Sequence, residues 1–224
     1  MICFKVISIN LILLLLLIPF NLSAQDFGSD DSAGTVTIES NPVWVVRDGR
    51  QLNVGSFGLK VKTGDVVKTG ENGKAKVSLT NGNNVYVAPS SELRLTEEVI
   101  GDDKSMVNQI IDLFYGKIRA KIQKTRKQRF VIKTATATIG VKGTDFIAEY
   151  IEETTKVGTV EGLVFLLSEK SQESIDIPPG QMSSVSPAGE IMPLEEFAGE
   201  LMEGVEFAGK KMTDEEIGGE KIEM

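Results

Sequence analysis

"FVIKTATATIGVKGTDFIAEY", residues 130–150, reads as a strand, a break and a second strand. The break, Gly140-Val141-Lys142-Gly143-Thr144-Asp145, places two glycines, a cation, a hydroxyl and a carboxylate within six residues. As a site it would be an anion nest or would carry a catalytic carboxylate. As a corner, Gly140 and Gly143 supply positive φ or room for close backbone approach. Thr144 and Asp145 then bond their side-chain oxygens to nearby backbone N–H groups, a job that an amide at position 145 could share. Phe146 follows into the core and fixes the register. The expectation is a corner that shapes the fold.

The flanking sequence supports an all-β chain. Turn signals recur at Asp48-Gly49, Thr63-Gly64-Asp65, Asn72-Gly73, Asn81-Gly82, Tyr115-Gly116, Lys142-Gly143 and Pro179-Gly180, separated by short runs of period two. Ala75, Val77 and Leu79 alternate with polar residues, and Val85 and Val87 answer them across Asn81-Gly82, a hairpin signal. Ile118, Ala120 and Ile122 alternate with Lys117, Arg119 and Lys121. Phe146, Ala148 and Tyr150 continue the pattern, and Leu163, Phe165 and Leu167 are expected to close it. A short helix or turn is expected around Ser105–Ile111. The predicted fold is a twisted β-solenoid-like unit or a two-layer β-sandwich of short strands, followed by a low-complexity acidic C-terminal tail.

Several stretches together resemble the FecR domain, a bacterial periplasmic module. "TGDVVKTGENGKAKVSLTNGNNVYVAPSSELRL", 63–95, is similar to its opening; "LFYGKIRAKI", 113–122, to its middle strands; and "RFVIKTATATIGVKGTDFIAEY", 129–150, to its Val-[Arg/Lys]-Gly-Thr-x-Phe segment. "TKVGTVEGLVFLL", 155–167, and "IDIPPGQMSSV", 175–185, match its closing strands. The resemblance implies an all-β fold and a part in envelope signalling. In the family's sigma-factor regulators the domain follows a cytoplasmic segment and a transmembrane helix. Here eight residues or fewer precede the apolar run, so the expectation is a stand-alone exported form without direct anti-sigma activity.

The chain ends differ from this body. Lys5, the apolar run Ile9–Ile18, Pro19 and Asn21-Leu22-Ser23-Ala24 follow the order of a secretory signal peptide cleaved after Ala24. The run is shorter than the roughly 20 residues of a spanning helix. The sole cysteine, Cys3, lies within the leader, so the mature chain has no thiol chemistry. The expected organisation is a signal peptide over 1–24, a flexible N-terminus over 25–34, the β domain over 35–186 and an acidic, disordered tail over 187–224. The body, 25–186, holds 20 Lys/Arg against 21 Asp/Glu, whereas the tail holds 3 against 11, so most of the formal charge of −8 lies in the tail. Three decads make up its end: "EEFAGELMEG", 195–204, "VEFAGKKMTD", 205–214, and "EEIGGEKIEM", 215–224. Phe197, Phe207 and Ile217 share the third position; glycine recurs at the fifth; Met202, Met212 and Ile222 share the eighth.

Chemistry finds little footing. The absence of histidine removes Ser-His dyads, imidazole bases and His-zinc sites. Asp102-Asp103 is read as a solvated loop, and Asp26, Asp30 and Asp31 lack the spacing of a calcium loop. The expectation is no enzyme, no cofactor and no metal. Lys117, Arg119, Lys121, Lys124, Arg126, Lys127, Arg129 and Lys133 form the densest basic run, without an intervening carboxylate. It is read as the solvated face of a hairpin, or as a docking patch for an anionic envelope polymer or for the chain's own tail, with Phe197 and Phe207 as anchors in a salt-sensitive contact. Nucleic acid is not expected, because aromatic residues are not interleaved with the basic ones. The function expected is a protein-interaction or scaffold module of the cell envelope, periplasmic or secreted. The alternative is an accessory of envelope signalling acting through a membrane-bound partner. The sequence does not set the oligomeric state.

Overall fold

The structure, a computed structural model, describes residues 32–100, 106–124, 128–197 and 199–205. The 17 strands among the described residues form one hydrogen-bonded ladder folded into two layers. Sheet A contains β4 (Leu59–Val61), β1 (Gly34–Ser40), β6 (Lys74–Leu79), β7 (Asn84–Val87), part of β9 (Met106–Lys121), β12 (Asp145–Ile151), β13 (Thr154–Glu161), β16 (Gln181–Val185) and β17 (Glu195–Glu196), in that spatial order. Sheet B runs β3 (Arg50–Asn53), β2 (Val43–Arg47), β5 (Val66–Thr69), β8 (Glu92–Ile100), the rest of β9, β10 (Gln128–Lys133), β11 (Ala137–Val141), β14 (Val164–Ser168) and β15 (Ser174–Ile177). Every pairing is antiparallel except β9–β10.

The long strand β9 joins the layers. Residues 106–115 pair with β8 and residues 107–112 with β10 in sheet B, while 116–121 pair with β12 and 118–121 with β7 in sheet A. The change of layer falls at Gly116, whose φ is +97°, a conformation that side chains rarely adopt. A Cβ there would lie 2.3–2.6 Å from Ser91, so only a glycine fits. Ser91 in turn accepts from Lys117 N at 3.0 Å.

Both of the expected architectures describe part of this arrangement. The layers enclose a single core that takes Val36, Val77 and Ile118 from sheet A and Val45, Leu93 and Ile132 from sheet B. The path winds like a solenoid: after β9, successive strand pairs alternate between the layers, β10/β11 in B, β12/β13 in A, β14/β15 in B and β16/β17 in A. Period two drives the burial, since Ala75, Val77 and Leu79 point inward and Lys74, Lys76 and Ser78 outward. Each fully buried Val, Leu, Ile or Phe contributes about 1.5–3 kcal/mol.

Four expectations are corrected. The stretch around Ser105–Ile111 is strand from Met106 onward, because it completes ladders on two sides. In β14 the inward residues are Val164 and Leu166, whereas Leu163 and Phe165 are 51% and 43% exposed; the Gly162 turn sets the register one residue away from that read in the sequence. The "strand, break, strand" stretch holds a further corner at 134–136, where Thr134 and Thr136 hydroxyls meet the buried Thr155 hydroxyl at 2.7 and 2.6 Å. The expected tail boundary at 186/187 falls within packed structure. Val185 bridges to Ile191, and the chain stays against sheet A as far as Val205. The signal peptide, Asp102-Asp103 and the two later decads beyond Val205, with Phe207 and Ile217, lie outside the described residues.

Candidate functional site

The break is the crossing from β11 in sheet B to β12 in sheet A. Gly143 has φ +73°, and a Cβ on it would lie 2.6 Å from Lys124 Cβ and 2.8 Å from Lys124 Cα. Gly140 is ordinary strand backbone, and nothing lies closer than 3.8 Å to its missing Cβ. Thr144 is buried and donates to Leu163 O at 3.1 Å, which staples this crossing to the one from β13 to β14. Its carbonyl accepts from Ile122 N at 2.9 Å. Phe146 is fully buried in the core.

Asp145 does not make the backbone bonds expected of it. Its carboxylate accepts from Arg119 Nε and Nη2, both at 2.8 Å, with the two side chains 7% and 4% exposed. This is a buried, bidentate, charge-assisted pair. A second bidentate pair, buried at the carboxylate but half-exposed at the guanidinium, closes the crossing from β4 to β5. There Arg47 Nε and Nη2 donate to Asp65 at 2.8 and 2.7 Å, and Lys62 N donates to the same carboxylate at 2.8 Å. The side-chain hydrogen bond to Asp65, more than its charge, holds the Arg47 guanidinium above its ordinary pKa. Four residues on, Thr69 donates to Ala88 O at 2.6 Å and accepts from Ser91 N at 2.9 Å. The Gly-Asp-x-x-x-Thr run therefore ties the β5 edge to the turn before β8.

The basic run does not form one surface. Arg119 is buried in its ion pair, and Lys117 sits 3.0 Å from Glu149. Ile118 and Ala120 face the core, so Lys117, Arg119 and Lys121 lie on the outer side of sheet A. Phe130 and Ile132 face the core from sheet B, which puts Arg129 and Lys133 on the outer side of that layer. In the ladder Lys133 stands opposite Asp112, whose carboxylate bonds Arg94 at 2.8 Å. Lys121, Lys124, Arg129 and Lys133 are exposed; Arg126 and Lys127 lie outside the described residues. A strand-by-strand reading missed this division because the run passes from one layer to the other at its middle.

The outer side of sheet A carries a second apolar cluster that sequence reasoning also missed. Ala88 and Ile147 meet Phe197, Leu201, Met202 and Val205, with Val160 and Met182 packed alongside. Phe197 occupies the space above Gly158, where a Cβ would lie 2.0 Å from its ring. The available signal was Gly158 itself, a gap in the middle of the strand "TTKVGTVE". Tyr150, partly buried against the main core, has its phenol pKa raised by burial first and by the charge of Glu153 second.

These features define a two-layer β domain with an Arg–Asp pair at two of its crossings. Residues 65–165 match the family model described as FecR protein. Two crystal structures of a candidate anti-sigma factor from Parabacteroides distasonis share the fold, each with a TM-score of 0.50 and 17% identity. In both, 58% of this chain and 59% of that one are covered, so the likeness spans less than two thirds of the neighbour's length. No curated protein matches this chain. Among the described residues no helix is long and apolar enough to cross a membrane.

Proposed function

We propose that this chain is an exported, FecR-type regulatory module that works through protein contacts at the bacterial cell envelope and not by catalysis. The match to the FecR family model over 65–165 carries this reading. The description of its structural neighbour as a candidate anti-sigma factor supports a regulatory role. So does the use of Asp65 and Asp145, which are buried and bonded to arginines. The family's envelope setting and the leader-like residues 1–24 support export. The second reading is an accessory of envelope signalling that acts on a membrane-bound partner. An anionic envelope polymer is a candidate ligand for the exposed lysines, Lys121 at the end of β9, Lys124 just beyond it and Lys133 on β10.

A test combines fractionation with photo-crosslinking from Lys121, Lys124, Arg129 and Lys133 in turn. The expected result is a product beginning at Gln25 outside the cytoplasm, with a discrete protein adduct from one layer's outer face. A membrane-protein adduct selects the second reading. A cytoplasmic product retaining Met1, or no protein adduct from any position, overturns the proposal.

A further inference from the structure

The cluster on the outer side of sheet A is a filled docking groove, and its occupant belongs to a repeat. Glu195 and Glu196 add as strand β17 to the edge of β16, opposite Met182 and Gln181, and Phe197 N donates to Gly180 O at 2.8 Å. This is recognition by strand addition, in which the backbone supplies direction and side-chain pockets supply specificity. Phe197 then drops over Gly158, and the turn Gly199–Met202 brings Leu201 and Met202 down beside Ile147. Lys117 Nζ reaches the carbonyls of Glu200 and Glu203, both at 3.4 Å.

The side chains that fill the groove include those the repeat retains. Phe197 and Met202 are the third and eighth residues of the first decad, and both are buried, at 5% and 7% exposure. The second decad, Val205–Asp214, has Phe207 and Met212 at the same positions, with the same Phe-Ala-Gly triplet after a glutamate. Leu201, the seventh residue, is replaced by Lys211, so the second decad retains the two anchors and loses one apolar contact. Phe207 cannot enter the notch above Gly158 while Phe197 fills it.

We infer that this groove is an assembly site, and that its second occupant is the second decad beyond Val205, residues 206–214, of another copy of this chain, Val205 itself staying in its own chain's cluster. The first decad is tethered to its own groove at an effective concentration in the mM range, so exchange with a neighbour is competitive and the association is concentration-dependent.

Sedimentation of the mature chain tests this directly. The average mass is expected to rise with concentration, and Phe207→Ala, which leaves every described contact in place, is expected to abolish the rise. A second measurement uses a labelled peptide of residues 205–214 and reads its anisotropy. A host chain carrying Phe197→Ala and Phe207→Ala, with its own main anchors removed, is expected to bind the peptide at least tenfold more tightly than the native chain. Gly158→Val in that host fills the notch and should remove binding, as should Phe207→Ala in the peptide. A native chain that stays monomeric at every concentration overturns the second-copy occupant, even if the peptide binds. Peptide binding that is indifferent to Gly158→Val, in a host that melts cooperatively, overturns the groove itself.

Discussion

Asp145→Asn tests what the break is for. If the carboxylate only capped a turn, an amide oxygen would serve nearly as well. The geometry says otherwise. Arg119 reaches Asp145 with two donors at 2.8 Å, and only 4% of its side chain is exposed. The amide would leave one acceptor, turn an NH₂ donor towards a guanidinium that has only donors, and strand a charge that cannot deprotonate. Breaking a buried pair from one side costs about 3–5 kcal/mol. For a domain of this size that lowers the melting temperature by roughly 6–20 °C, at about 2–4 °C per kcal/mol. Urea and thermal unfolding followed by far-UV circular dichroism read the change in Asp145→Asn, Arg119→Met and the double variant Arg119→Met/Asp145→Leu. Each single variant is expected to be strongly destabilised, and the double variant to recover much of the loss because no unpaired charge is left buried. An Asp145→Asn protein within about 0.5 kcal/mol of native, the range of an ordinary surface change, would refute the reasoning.

The glycines should separate by position. Gly143→Val is expected to cost roughly 1–3 kcal/mol for strain at positive φ, and Gly116→Ala at least as much, whereas Gly140→Ala should stay within about 0.5 kcal/mol; urea melts rank the three. Tyr150 should ionise above the usual tyrosine value of about 10. Because the unfolded chain loses that proton first, its contribution is whole below pH 10 and is lost as pH rises towards the folded value. Tyr150→Phe should flatten the alkaline limb of stability against pH, with ultraviolet titration locating the phenolate. High salt should not free the segment 195–205, since apolar contacts hold it and salt screens charge only. A Glu-specific protease should therefore cut after Glu200 and Glu203 equally slowly at low and high salt, and faster cutting at high salt would show that the salt-sensitive contact read from the sequence is the right one.

The strands were legible because period two survives in the sequence wherever one face meets the core. Ala75, Val77 and Leu79 announce β6, and Val85 and Val87 its partner. The layers were not legible. Nothing local in β9 says that Gly116 moves the strand from one sheet to the other, so the basic residues on either side of that passage looked like one patch. Asp145 failed as a reading for a similar reason: its partner, Arg119, lies 26 residues earlier and meets it only once β9 and β12 pair. β12 itself, with Phe146 and Ala148 turned to the main core and Ile147 to the outer cluster, is buried on both sides, so its alternation marks two apolar faces, not one. The tail anchors were visible as a repeat, but their receptor was not, since Gly158 declares a gap without saying what fills it.

The two Arg–Asp pairs bear on where function can reside. Asp65 lies immediately before β5 and is held by Arg47 of β2, the strand that pairs with β5. Asp145 begins β12 and is held by Arg119 of β9, the strand that pairs with β12. A positive-φ glycine, Gly64 or Gly143, stands one or two residues before each carboxylate. The same device thus appears at a crossing from A to B in the first half and from B to A in the second. In each case an arginine on the neighbouring strand takes up the carboxylate where the chain changes layer, so both charges have a role in the fold itself. With these charges committed to the fold, the proposed recognition role falls to the outer faces. Sheet A presents an edge and a notch already shaped for an aromatic anchor, while sheet B presents Phe165 and Phe114, 43% and 42% exposed, among Arg129, Lys133 and Arg94. The covered face already holds the chain's own Phe197, Leu201, Met202 and Val205, and under the proposed assembly it is the face on which partner exchange acts.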